Sequence, residues 1–180
     1  IENTSPFEED PRVYNEYISD SVYLLLAQST LPKEQNLSNA IARMAQIPNI
    51  VAAARENLRN PSAVATETAI RQNRGSIAFY QRELFEVAGE TPRRAALQAA
   101  AAPVVACLQQ YQEFLERDLL PRAHGTWQLG RDKFAKKLEL ELNAGLTADQ
   151  VLAEAEAEFA RVERDMYVIA RQLWGRYQAG

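Results

Sequence analysis

The sequence predicts an all-α fold, a bundle of about seven largely antiparallel helices with one short extended or loop segment near residues 121–131. Three observations carry that expectation. Apolar residues recur at spacings of three and four over most of the chain. Ser5-Pro6, Asp10-Pro11, Asn60-Pro61 and Thr91-Pro92 each set a capping side chain before a proline, whose missing N–H costs nothing in a first helical turn. Alternating strand patterns are nearly missing.

Tyr14, Tyr17, Ile18, Ser21 and Leu25 give a first long helix one mainly apolar face. Leu37, Ala40, Ile41, Met44 and Ile47 do the same for a second, which Pro48 should end or bend by restricting Ile47. Val51, Ala54 and Leu58 continue as a short third. From Pro61 to Ala88 two heptad series run together, Ile70, Ile77, Leu84 and Asn73, Tyr80, Val87, and Gly89 is placed to close the helix in the left-handed conformation. The fifth helix runs from Pro92 to about Leu120 with Leu97, Ala101, Val104, Leu108, Tyr111, Leu115 and Leu119 inward. Pro103 should kink it and Pro121 stop it. Phe134, Leu138 and Leu142 mark a sixth, closed near Gly145. The last opens on a Thr147 and Gln150 capping box with a Leu146–Val151 staple, and its seam is Leu152, Ala155, Phe159, Val162, Met166, Ile169 and Leu173. No linker or internal repeat interrupts the pattern, so residues 1–180 read as a single helical domain.

Composition excludes several classes. A chain of 180 residues with 47% hydrophobic residues can bury a true core. A net charge of -4 offers no general attraction for nucleic acid or anionic lipid. The most apolar run, Ala99 to Leu108, contains Pro103 and is about half the ~20 residues of a membrane span. The single Cys107 lies beside Val104, Val105 and Leu108 and reads as a buried, inert thiol. The chain opens on Ile1 without methionine and ends as abruptly at Gly180, which suggests processed or cut ends.

Catalytic patterns are scarce. One histidine, His124, and one distant cysteine cannot supply a zinc site, and no Glu-x-x-His pair exists for a di-metal bundle. No Gly-x-Ser-x-Gly turn or phosphate-binding glycine loop occurs. Glu154, Glu156 and Glu158, like Arg131, Lys133, Lys136 and Lys137, read as solvated helix faces.

The stretch "LLPRAHGTWQLGRDKF" stands apart, with the only histidine and one of two tryptophans. Trp127 and Leu129 alternate with Thr126 and Gln128 between Gly125 and Gly130, which suits a short extended piece. Two readings stand. It is a packed corner, with Trp127 filling the gap between two helices, or a loop lining a cleft, with Arg122, His124 or Gln128 free to touch a ligand.

The order of features resembles the N-terminal helical half of bacterial domain-of-unknown-function family 885, from about Tyr14 to Ala170. Its most specific part is Leu120, Pro121, Arg122, Ala123, Gly125, Trp127, Leu129, Gly130 and Phe134, followed by Leu146, Thr147 and the final helix. The resemblance implies a longer protein, exported, periplasmic or lipid-anchored, that looks like a zinc metallopeptidase with a His-Glu-x-x-His helix in its C-terminal half. This chain has no such motif, so no catalytic or metal-binding residue carries over and it holds no cofactor itself. It would be the scaffold fragment forming one wall of a cleft for a peptide substrate, completed by the missing C-terminal half. The implied corner is Pro121, Gly125, Trp127, Leu129 and Gly130, with Arg122, His124 and Gln128 at the cleft or interdomain edge. An apolar face left bare would favour hydrophobic dye binding or dimerisation. The alternative is a complete, non-catalytic helical module that binds a partner or small ligand.

Overall fold

Proline, capping and periodicity act together to make this chain helical, and the computed structural model shows seven helices over the residues it describes, 5–143 and 145–177. Ile1 and Gly180 lie outside the described residues. After a single turn at Pro6–Glu9, helix α1 comprises Arg12–Asn15, a π turn at Glu16–Asp20 and Ser21–Ala27. Helices α2 (Lys33–Met44) and α3 (Ile47–Asn57) follow. Helix α4 comprises Ala63–Ala78, a second π turn at Phe79–Glu83 and Leu84–Ala88. Helix α5 comprises Arg94–Phe114, a third π turn at Leu115–Leu119 and a 3-10 turn at Leu120–Arg122. Helices α6 (Arg131–Leu142) and α7 (Ala148–Tyr177) complete the order.

The chain divides into two compact units, one ending at Trp127 and the other beginning at Gln128. The first holds a continuous core of Ile18, Val22, Leu37, Met44, Ile47, Leu58, Tyr80, Leu84, Leu97, Leu108, Tyr111 and their neighbours, all nearly inaccessible. Every inward position expected for α5 is buried, because the spacing of three and four holds one stripe of a helix toward one side. The helix runs unbroken past Pro103. Polar cross-links join α4 and α5 from the core out to the surface. Asn73 Nδ2 donates to the Leu108 carbonyl at 3.0 Å and to Gln112 Oε1 at 2.8 Å, and Gln112 and Arg74 both donate to Glu116.

Several starts fall elsewhere than expected. Asp10 accepts from the Arg12 N–H at 3.0 Å, as a cap should, but Ser5 makes no side-chain cap. At α4 the cap is Ser62, which accepts from Ala65 N–H; Asn60 is used otherwise. Thr91 accepts from Arg93 N–H while α5 begins at Arg94. Pro48 opens α3 rather than closing α2, since its ring suits a first turn. Gly89 closes α4 with a positive φ of 61, but its ψ of -156 lies outside the left-handed helical conformation expected, which Asn143 adopts after α6 at φ 47 and ψ 30.

Two of the three π turns coincide with misplaced faces, whereas in α5 the consecutive spacings of four at Tyr111, Leu115 and Leu119 absorb the third. Each inserts an extra residue into the ladder, so periodicity counted across it drifts. Tyr17 and Val87, expected inward, are exposed, while Asn15 and Ala88 are buried.

The second unit is built differently. Thr147 and Gln150 form the expected capping box, with Thr147 N–H donating to Gln150 Oε1 at 2.8 Å and Gln150 N–H to Thr147 Oγ1 at 3.3 Å. Charged residues pair along the surface, Lys136 with Glu139, Lys137 with Glu141, and Arg161 with Glu158 and Asp165. None of the described residues of α6 or α7 is buried. The α7 seam is therefore correct in spacing but bare.

Candidate functional site

The corner after α5 is fastened by backbone chemistry. Arg122 Nε donates to Asp118 at 2.9 Å, one helical turn back, and its Nη1 donates to the Arg59 carbonyl at 2.7 Å. The guanidinium thus satisfies a carbonyl just past the end of α3. His124 N–H donates to Asn60 Oδ1 at 2.9 Å and Gly125 N–H to the Pro61 carbonyl at 3.0 Å. His124 and Gly125 each form an isolated bridge with Ser62, so the extended piece sits at 124–125 rather than at 126–129. Pro121 lies in the 3-10 turn that ends α5.

Glycine is required at position 125, because a Cβ there would meet the Asn60 carbonyl oxygen at 2.1 Å. Ala123 is buried beside it. Trp127 departs from the expectation of a plug between helices: its side chain is 69% exposed. Gly130 takes φ 77 just before α6, and Leu129 is exposed. Of the three candidate contact residues, Arg122 is engaged in fastening the corner, His124 contributes its backbone and leaves an exposed ring, and Gln128 belongs to the second unit.

A groove of about 380 Å³ lies between α1 and α4 in the first unit. Both walls carry a π turn: Glu16, Ser19 and Asp20 come from one, Phe79 and Glu83 from the other. A hydrogen bond joins the turns, with the buried Tyr80 hydroxyl donating to the Ile18 carbonyl at 2.6 Å. Burial pushes that phenol well above its ordinary pKa, so it remains a donor. The Ser19 and Ser76 hydroxyls bond to each other, and Asn15 Nδ2 donates to the Ala69 carbonyl at 3.1 Å. Gly75 leaves space at the wall. The Tyr23 and Phe79 rings meet edge to face.

Carboxylates of Glu16, Asp20 and Glu83 border this groove, Glu83 lying 4.0 Å from the Arg82 guanidinium, so the border is acidic and disfavours a phosphate. No imidazole lies near Ser19 or Ser76, and the lining contains no nucleophile joined to a base. Among the described residues no three His, Cys, Asp or Glu side chains are grouped to hold a metal ion. Sequence reasoning missed the groove. Its signal was the polar interruption of apolar faces by Asn15, Ser19 and Ser76, which periodicity treats as noise.

The family model described as "Bacterial protein of unknown function (DUF885)" matches residues 5–180. A solved structure described as "a putative lipoprotein of unknown function" from Shewanella oneidensis has the same fold, with a TM-score of 0.70 and 24% identity. The match covers 96% of this chain and 32% of that one, so the chain spans about a third of the length of its structural neighbour. No curated protein matches the chain.

Proposed function

The chain belongs to the bacterial family of unknown function DUF885, and on that premise we propose that it is the helical scaffold portion of a longer, zinc-dependent peptidase-like protein, where it forms one wall of a substrate cleft. The observation that carries this reading is length: nearly all of the chain superposes on only a third of its structural neighbour. The groove between α1 and α4 is the concavity we assign to that wall, and its acidic border would favour basic or amine-bearing peptide segments. The corner at Arg122–Gly125 holds the end of α5 against the start of α4 and so keeps the scaffold rigid.

Zinc is assigned to the remainder of the longer protein. The donors present here do not fit it, because a His-Glu-x-x-His helix needs two histidines and the chain has one. An exported or lipid-anchored location belongs to the same family reading. Among the described residues no helix is long and apolar enough to cross a membrane.

Expression of the whole reading frame, followed by metal analysis and a peptide-cleavage assay with and without chelator, tests the proposal. Zinc-dependent cleavage by the longer polypeptide and none by residues 1–180 is expected. A longer polypeptide that neither holds zinc nor cleaves peptides would refute the peptidase part, and a frame that closes after Gly180 would refute the scaffold part. The groove itself favours one other reading, a complete ligand-binding module. That reading requires the 180-residue chain alone to bind an amine ligand and to lose it on Glu16→Gln with Asp20→Asn.

A further inference from the structure

Helix α7 is 30 residues long, about 45 Å at 1.5 Å per residue. From Arg161 to Tyr177 every described residue is exposed. An isolated helix is marginal in water unless its apolar face is covered, since most helical stability in proteins comes from packing. That face is extensive here. Phe159 is 71% and Met166 65% exposed, in register with Leu152 and Leu173 at intervals of seven, with Val162 and Ile169 between them. Trp174 and Tyr167 widen the stripe. Arg161 forms ion pairs with Glu158 and Asp165, so those charges are satisfied along the helix while the apolar seam is not.

We infer that the apolar face of α7 is the seam on which a helix from the rest of the longer polypeptide docks. The inference rests on the scaffold reading and names its contact surface. Two observations select this occupant. The fold occurs in a chain about three times as long, which supplies the additional polypeptide. The spacing of three and four is that of a helix-on-helix seam crossing at a shallow angle, where side chains at intervals of seven enter holes on a facing helix. Methionine and aromatic residues are also those enriched at the centre of protein interfaces.

Hydroxyl-radical footprinting of the whole polypeptide and of residues 1–180, both unmodified and read by mass spectrometry, tests it without a substitution that could unfold the chain. Phe159 and Met166 should be oxidised at least about fivefold more slowly in the whole polypeptide, as burial at an interface core excludes solvent. Val168, off the seam on the same helix, should change little. Equal oxidation of Phe159 and Met166 in both proteins overturns the docking inference while leaving the scaffold reading intact. Protection in residues 1–180 that rises with concentration assigns the seam to a second copy and also overturns it. A reading frame no longer than these 180 residues removes the occupant and the scaffold reading together.

Discussion

Replacing Gly125 with alanine tests whether the corner is fastened as its geometry indicates. The new Cβ would sit 2.1 Å from the Asn60 carbonyl oxygen and 2.9 Å from the Pro61 carbonyl carbon. Both are backbone atoms and cannot turn aside. Reaching an ordinary contact requires the corner to retreat by more than about 1 Å. That stretches the Gly125 N–H bond to Pro61 from 3.0 Å to beyond hydrogen-bonding range, and the 2.9 Å bond from His124 N–H to Asn60 moves with it. At about 0.5–1.5 kcal/mol each, two lost bonds predict a destabilisation of about 1–3 kcal/mol. Each kcal/mol lowers the melting temperature of a chain this size by about 2–4 °C. Gly75→Ala is the control, because its Cβ meets nothing within 4 Å inside a helix; it should raise stability by about 0.5–1 kcal/mol. Thermal and urea unfolding followed by circular dichroism reads both. A Gly125→Ala chain that melts with its parent would refute the reasoning.

Other substitutions probe separate links. Ser62→Ala removes the cap on Ala65 N–H and should cost about 1 kcal/mol in urea unfolding. Asn73→Ala breaks the buried bonds to Leu108 and Gln112 and should cost about 1–3 kcal/mol by the same measurement; an unchanged midpoint would mean those bonds add nothing. Hydrogen bonds from Gln112 first, and then Arg74, hold the Glu116 carboxyl below its ordinary value. The folded state therefore favours the ionised form. Its contribution is complete above the unfolded pKa and is lost as pH falls through the lower folded value, so Glu116→Gln should flatten the decline in urea midpoint between neutral and acid pH. Burial pushes the Cys107 thiol up against a smaller opposing effect of Arg55, so thiol labelling should be slow in buffer and rapid in denaturant; equal rates would contradict that packing.

The core was legible where the chain keeps one period. The five inward positions of α5 ahead of its π turn, Leu97 to Tyr111, and the capping box of α7 follow from local spacing and side-chain type. Legibility failed at two of the three places where a helix changes period; at the third, Leu115 and Leu119 are buried as expected. Tyr17 and Val87 turned outward because π turns at Glu16–Asp20 and Phe79–Glu83 add a residue to the ladder, which no local propensity encodes. The corner shows the same division. Gly125 was placed correctly as a turn residue, but the steric reason lies in Asn60 and Pro61, more than sixty residues earlier. Trp127, expected to be covered, is not.

By itself the sequence determined the all-α class, the order of the helices and the apolar stripe of those that keep one period, because these depend on interactions within a few residues. Tertiary structure alone decided which carbonyls Arg122 reaches, where two π turns meet across a groove, and that the stripe on α7 stays bare. Those outcomes depend on residues distant in sequence being brought together, and periodicity along one helix contains no information about its neighbour.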